Sequence, residues 1–411
     1  MLDIKFIREN KDLIALGAKK KRIEFDVDKL LSIDDKRKEL TQKVDEINRK
    51  RNEAAQNRDA EAGKQLKLDL ESLETEQKEV MKEWQALMLQ VPNVPDISVP
   101  EGESDADNME VKKWGEPQKF DFEPKSHIDI MLALDMVDFE RGTKVSGFRG
   151  YFLKNDGALL SRAIWNYAQD FFLKKNFTPM IVPSLVRKEA LIGTGMIPQS
   201  EEDLYKTQDG DYLAGTAEVA TMGYHMNETL NKSDLPKRYL SFSPCFRREA
   251  GSHAKDVKGL IRVHEFYKLE QVVICEASHE ESVKYHEELN RNTEEFIESL
   301  GIPYHTVVNC GADLGLGQVK KYDIELWVPM ESTYREISSA SYFHDFQCRR
   351  LGIRYKNEEG KSVYAHSLNS TAIPTPRILV SLVENFQQAD GSIKIPDALV
   401  PYMSGKTVIS K

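Results

Sequence analysis

The chain has 411 residues, 40% of them hydrophobic and 30% charged, enough apolar material for a core and too much charge for a membrane-embedded protein. No window approaches the roughly 18 uninterrupted apolar residues of a spanning helix, and the N-terminus, MLDIKFIRENKDL, has neither signal-peptide nor transit-peptide character, so a cytoplasmic location is expected. Lys and Arg number 57 against 67 Asp and Glu, a net charge of −10, so any polyanion must be met by local basic clusters rather than by a global field.

From residue 30 the positions Leu30, Ile33, Arg37, Leu40, Val44, Ile47, Arg51 and Ala54 alternate steps of three and four, which predicts one long helix with an a/d seam and two polar interruptions. After a predicted break at 59–64, which contains Gly63, the pattern restarts as Leu66, Leu70, Leu73, Gln77, Val80, Trp84, Leu87 and Val91. Two helices of similar length joined by a short turn read as an antiparallel coiled-coil hairpin over about 28–91, whose seam each strand buries for the other. At about 1.5 Å per residue it is roughly 45 Å long. The proline-rich stretch VPNVPDISVP and the acidic, polar run after it end the helix, so a domain boundary is expected near residue 110, with 1–110 an N-terminal domain and 111–411 a second one.

Beyond the boundary, short apolar strands alternate with turn signals, and helices are predicted at about 158–175, 280–300 and 375–388. A strand is predicted over 260–275. The pattern indicates an α+β domain, an antiparallel sheet flanked by helices. Cys245, Cys275, Cys310 and Cys348 form no C-x-x-C pair, and the nine histidines form no H-E-x-x-H, so neither a disulfide framework nor zinc is expected. A phosphate loop ending at Gly405-Lys406-Thr407 fails because Val400 stands where its first glycine belongs.

The strongest constellation is SPCFRREAGS (243–252) followed by GLIRVHEFYKLE (259–270). On a strand, Arg262, His264, Phe266, Lys268 and Glu270 share one face, while Ile261, Val263, Tyr267 and Leu269 share the other. Phe266 and Glu270 then stand roughly 13 Å apart, close to the span of an aminoacyl adenylate. A solvated sheet face with alternating charges would show the same spacing. An aromatic and a histidine in mid-face, fed by a turn carrying Arg-Arg-Glu, favour chemistry.

These segments resemble motif 2 of class II aminoacyl-tRNA synthetases in the form found in seryl-tRNA synthetases, and other segments agree. FTPMIVP (177–183) resembles the dimer-forming motif 1, with Asn176 where a glycine is common. LAGTAE (213–218) resembles the Thr-x-Glu serine loop, and YREISS (334–339) with LNSTAIPTPR (368–377) resembles the strand and helix of motif 3. In that last segment Ser370, Ala372 and Pro376 stand where many members have glycines. The hairpin is similar to the arm that grips the long variable arm of serine tRNA, and the resemblance spans the whole chain.

The resemblance implies a serine–tRNA ligase that forms seryl-adenylate from L-serine and ATP, transfers the seryl group to the 3′ end of tRNA(Ser), with tRNA(Sec) as a further candidate acceptor, and releases AMP and pyrophosphate. It implies Arg247 and Arg377 as catalytic cations and Thr216, Ala217, Glu218, Arg247, Glu270, Asn369 and Thr371 around serine. Around ATP it implies Arg247, Arg248, Glu249, Arg262, Val263, Phe266, Glu336, Ile337, Ser338, Ser339 and Arg377, with Glu336 and Ser339 as ligands of Mg²⁺. A homodimer is implied by motif 1. For the arm, Arg49, Lys50, Arg51, Arg58, Lys64 and Lys67 gather toward the tip as candidate phosphate contacts, with the run 19–22 (KKKR) at the base as a second group; a solvated helical face is the competing reading for any one of them. A paralogue charging a carrier protein would keep the ATP face but lose a motif arginine or the arm, and a coiled-coil scaffold would lack the motif set altogether. Amino-acid-dependent pyrophosphate exchange separates these readings.

Overall fold

The computed structural model describes residues 1–249, 256 and 258–411, and the chain forms two compact units, Met1–Val94 and Pro95–Lys411. Part of the motif 2 run, Ala250, Gly251 and Ser252, lies outside the described residues.

In the first unit, helices α1 (Ile4–Glu9) and α2 (Lys11–Lys20) precede the long pair α3 (Val27–Gln56) and α4 (Ala60–Gln90). Each long helix begins at an aspartate cap, Asp26 accepting from Lys29 N–H and Asp59 from Ala62 N–H. The turn between them is shorter than the predicted break at 59–64, and Gly63 lies inside α4. Asp59 starts the helix there, and one helical glycine costs only about 1 kcal/mol against such a cap. The predicted seam is the buried one, with Leu30, Leu40, Val44, Ala54, Leu70, Val80 and Val91 all buried. Two of its polar interruptions, Arg37 and Gln77, are paired across the hairpin. The Arg37 guanidinium lies 4.8 Å from the Trp84 ring centroid, and Gln77 Nε2 donates to Thr41 Oγ1 at 3.2 Å.

At the foot of the hairpin, Leu2, Ile7, Ile14, Val27, Leu30, Met88 and Val91 form a small core. Asp34 sits beside α1, fully buried, and pairs with Arg8 at 2.8 Å, Arg37 at 2.8 Å and Lys38 at 2.7 Å. Burial pushes its carboxyl up, but these three cations outweigh it and hold the pKa at about 2.

The second unit is built on an eight-stranded sheet. Its strands in chain order are β1 (Met109–Trp114), β2 (Thr178–Ile181), β3 (Lys237–Phe246), β4 (Glu265–Cys275), β5 (Tyr304–Val308), β6 (Lys320–Val328), β7 (Thr333–Tyr342) and β8 (His366–Thr375). They lie in the order β1-β5-β6-β7-β8-β4-β3-β2, antiparallel throughout except for the parallel edge pair β2 and β3. Helices α5 (Asn155–Leu173), α6 (Ala217–Gly223), α7 (His279–Leu300) and α8 (Arg377–Asn385) belong to the same unit. Phe172 of α5, Phe296, Ile297 and Leu300 of α7, and Leu379 and Val383 of α8 join Leu269, Ile324 and Ile373 of the sheet in one core. Burying each such side chain contributes about 1.5–3 kcal/mol. The α+β architecture with a mainly antiparallel sheet is the one expected.

Residues 95–110 fold with this unit. Asp96 N–H donates to Val319 O, Tyr342 Oη donates to the Asp96 carboxylate at 2.9 Å, and Cys310 N–H donates to Asn108 Oδ1. The prolines end α4, but the backbone beyond them finds partners on the sheet, so the compact units meet at Val94–Pro95 rather than near residue 110.

Candidate active site

Strand β4 starts at Glu265, later than the predicted residue 260, because residues 258–264 form a bend that opens at Gly259 with φ +87°. Within β4 the alternation holds. Glu270 faces Thr371 across the β4–β8 ladder, where a bulge skips Ala372 so that both side chains lie on one face. A cavity opens over this face, lined among others by Arg247, Glu249, Arg262, Phe266, Glu336 and Arg377. Arg247 and Arg377 therefore share one cavity. With Lys268, four cationic side chains line it against two carboxylates, on a chain whose net charge is −10. That local excess suits a polyanion.

The cations are held in place. Arg377, the first residue of α8, donates from Nε to Ile261 O and from Nη1 to Glu336 O, both at 2.9 Å. Burial, with Arg247 and Arg262 close by, lowers its pKa although Glu336 opposes. Arg262 Nη1 donates to Glu249 Oε2 at 2.6 Å. Burial would raise the Glu249 carboxyl, but the Arg262 hydrogen bond and the charges of Arg262, Arg247 and Arg377 lower it further. The Arg247 guanidinium lies 5.3 Å from the Phe266 ring centroid. Val263 and Ile337 complete this end.

Beyond Arg247 the face carries a cluster of buried polar side chains, Thr216, Glu218, Lys268, Glu270 and Thr371. Thr216 caps α6, accepting from Glu218 N–H at 3.3 Å, and the loop before it runs close to motif 2: Phe246 N–H donates to Ala214 O. A Cβ at Gly215 would come within 3.2 Å of Phe246 O and 3.3 Å of Arg247 Cγ, so only glycine passes there without displacement. Glu218, following Ala217, is buried and accepts from Gln347 Nε2 at 2.7 Å and from Asn369. Burial dominates and, with Glu270 nearby, raises its pKa to about 7. The Thr371 hydroxyl donates to Glu270 Oε2 at 3.3 Å, and Lys268 Nζ bridges the same oxygen at 2.7 Å to Thr216 Oγ1 at 2.9 Å.

Two family models match the chain. The Seryl-tRNA synthetase N-terminal domain covers residues 1–95, and the tRNA synthetase class II core domain (G, H, P, S and T) covers 204–386. The serine–tRNA ligase of Deinococcus radiodurans is 44% identical over 422 residues, spanning 100% of this chain and 99% of its own length. The chain belongs to the seryl-tRNA synthetase family. Among solved members, the seryl-tRNA synthetase from Pyrococcus horikoshii complexed with ATP superposes with a TM-score of 0.90 at 36% identity, covering 100% of this chain and 99% of that one. The cytoplasmic serine–tRNA ligase of Naegleria fowleri in complex with AMP gives 0.89 at 33% identity with the same coverage. The fold is thus that of a class II synthetase, an aminoacyl-tRNA ligase.

Against this seryl-tRNA synthetase frame, several residues read from the sequence stand apart from the cavity. Arg248 donates to Glu202 O. The Ser338 hydroxyl donates to Thr371 O on the core side of the sheet. His264, predicted to share the face of Phe266, instead turns its Nδ1 to Arg247 O at 2.9 Å, outside the strand. Ser339 does not line the cavity itself, but the register shift beside Ile337 puts it on the same face of β7 as Glu336, half-buried and opposite Asp323 of β6. Burial and nearby Glu336 push the Asp323 carboxyl up, against the pull of Lys321. Gln347 and Asp323 carried no local signal in the sequence. Lys268 did, through its place in the alternation, but no role attached to it.

On the arm, Lys50 pairs with Glu46, Arg49 with Glu53 and Lys67 with Glu71, all exposed i,i+4 pairs worth little. Arg51 is half-buried in the seam, and Arg58 forms the turn with φ +57°. Lys64 lies on the first turns of α4. In the run at the base, Lys21 is 3% exposed and burial lowers its pKa, so it is no surface cation.

Proposed function

We propose that the chain catalyses serine–tRNA ligation, activating L-serine with ATP to seryl-adenylate and passing the seryl group to the 3′ end of tRNA(Ser), with release of pyrophosphate and AMP. The convergence of Arg247 and Arg377 on one cavity that Lys268 and Thr371 also line, with Thr216 and Glu270 bonded to Lys268, carries this reading. Attack of a carboxylate on the α-phosphorus brings two anions together, so neutralising charge is the main catalytic task. Arg247 lies between the two halves of the site and bridges the serine carboxylate and the α-phosphate; a guanidinium's planar fork offers paired donors to both. Arg377 takes the γ-phosphate side. Phe266 stacks on adenine, and Glu249, near the backbone of Val263 and Ile337, reads its edge.

Glu336 and Ser339 offer the oxygen donors that Mg²⁺ prefers, with Glu336 half-exposed beside the cavity. Bound there with ATP, Mg²⁺ supplies charge neutralisation of the phosphates.

The serine hydroxyl goes to Thr371 and Glu270. A pocket built for a hydroxyl leaves buried polar groups unpaired when alanine enters, and such sites discriminate by about 10⁴ without editing. The arm grips the long variable arm of the tRNA through Arg58, Lys64 and the neighbouring cations, as a protruding RNA stem is met by its phosphates. A homodimer through residues 177–183 is supported by β2, the sheet's edge strand, where Ile181 is 87% exposed. No helix among the described residues is long and apolar enough to cross a membrane, in keeping with action in the cytoplasm.

The test is exchange of pyrophosphate into ATP with each amino acid in turn. Serine alone should support it, and deleting residues 32–89 should keep exchange while abolishing tRNA charging. Exchange without an amino acid would end the ligase reading, and charging by the armless chain would end the role of the arm.

A further inference from the structure

Lys268 lies between two of the residues assigned to the amino acid, Thr216 and Glu270. It is 5% exposed, and its ammonium donates to Thr216 Oγ1 at 2.9 Å and pairs with Glu270 Oε2 at 2.7 Å. Oε2 already accepts the Thr371 hydroxyl at 3.3 Å, and Thr216 Oγ1 already accepts Glu218 N–H at 3.3 Å. Each of these oxygens thus holds two donors. A hydroxyl oxygen with both lone pairs engaged has only its hydrogen left to offer, so Thr216 meets a ligand as a donor and cannot accept from an ammonium. Glu270 is left with Oε1 as its open acceptor, beside a cation that has already neutralised it.

We infer that Lys268 sets the amino-acid specificity of the pocket: its ammonium takes the counter-ion place on Glu270 that a substrate ammonium would otherwise take. Oε1 is thereby reserved for a substrate hydroxyl, and the substrate ammonium is left to Glu218. An amino acid lacking the hydroxyl leaves Oε1 unpaired in a buried site, which is costly. Without the Lys268 charge, Glu270 becomes a partner for any α-ammonium, and alanine gains on serine. Lys268 is a positioning residue here, acting through Glu270 and Thr216. The inference rests on the serine–tRNA ligase reading.

The test compares serine and alanine in pyrophosphate exchange for the full chain and for K268M, which keeps an unbranched side chain one atom shorter and loses the charge. The ratio of kcat/KM for serine to that for alanine should fall at least tenfold, mostly through the serine KM. K268R should restore most of the ratio. E270Q provides the second route: its ratio should also fall, and K268M added to it should lower the ratio no further, since both changes remove one ion pair. A ratio unchanged within twofold in folded K268M, or full additivity with E270Q, would overturn the inference. Failure of the unaltered chain to use serine at all would instead remove the ligase reading beneath it.

Discussion

The arm and the cavity are stabilised by opposite strategies. In the arm one rule repeats: an apolar residue every three or four positions, exposed i,i+4 pairs outside, and few contacts that another could not replace. In the cavity the polar side chains are drawn from distant parts of the chain: Thr216 before α6, Arg247 after β3, Lys268 and Glu270 on β4, Thr371 on β8 and Arg377 on α8. Repetition tolerates loss, whereas convergence does not. Asp34 is the exception in the arm, a buried charge with three converging partners, and it tests whether convergence rather than location sets sensitivity.

The comparison predicts a graded series. Arg247→Ala should lower serine-dependent pyrophosphate exchange by about 10³, since it removes the cation between two anions; a loss below tenfold would break the contrast at its strongest point. Asp34→Asn should weaken the foot of the arm by about 2 kcal/mol, read as faster amide exchange in α1 and the first turns of α3. The sign follows from its depressed pKa. The stabilisation is present above the unfolded value near 3.8 and is lost as pH falls through about 2, so protection should drop over that window in the native chain and stay flat in the variant. Thr371→Val, near-isosteric but without the hydroxyl, should cut the preference for serine over alanine about tenfold, and unchanged discrimination would remove Thr371 from the pocket's reading. Arg58→Ala, one cation among several near the tip, should weaken tRNA binding only about twofold and slightly flatten its salt dependence.

Legibility in the sequence followed the same division. The seam from Leu30 to Val91 could be read residue by residue because a helix repeats on a scale shorter than its own length. Gly63 misled because a glycine signals a break only where no competing cap is stronger, and Asp59 is stronger. The face of β4 was legible for Phe266, Lys268 and Glu270 but not for His264, since the bend after Gly259 cancels the alternation before Glu265. Family resemblance supplied Arg377, Thr216 and Glu336, which no periodicity connects to Arg247. Gln347 on Glu218 was invisible, because a hydrogen bond across 129 residues of sequence leaves no local trace. The bulge that skips Ala372, and so aims Thr371 at Glu270, is likewise a product of strand pairing rather than of composition.

The polar contacts inside the arm have a geometric consequence. Gln77 reaches Thr41, and Arg37 covers Trp84, in only one alignment of the two helices, so the hairpin cannot slide by a heptad without losing both. The arm then works as a calibrated gauge: its end stands at one measured length from its root, and lengthening or shortening it demands matched insertions or deletions in both helices at once.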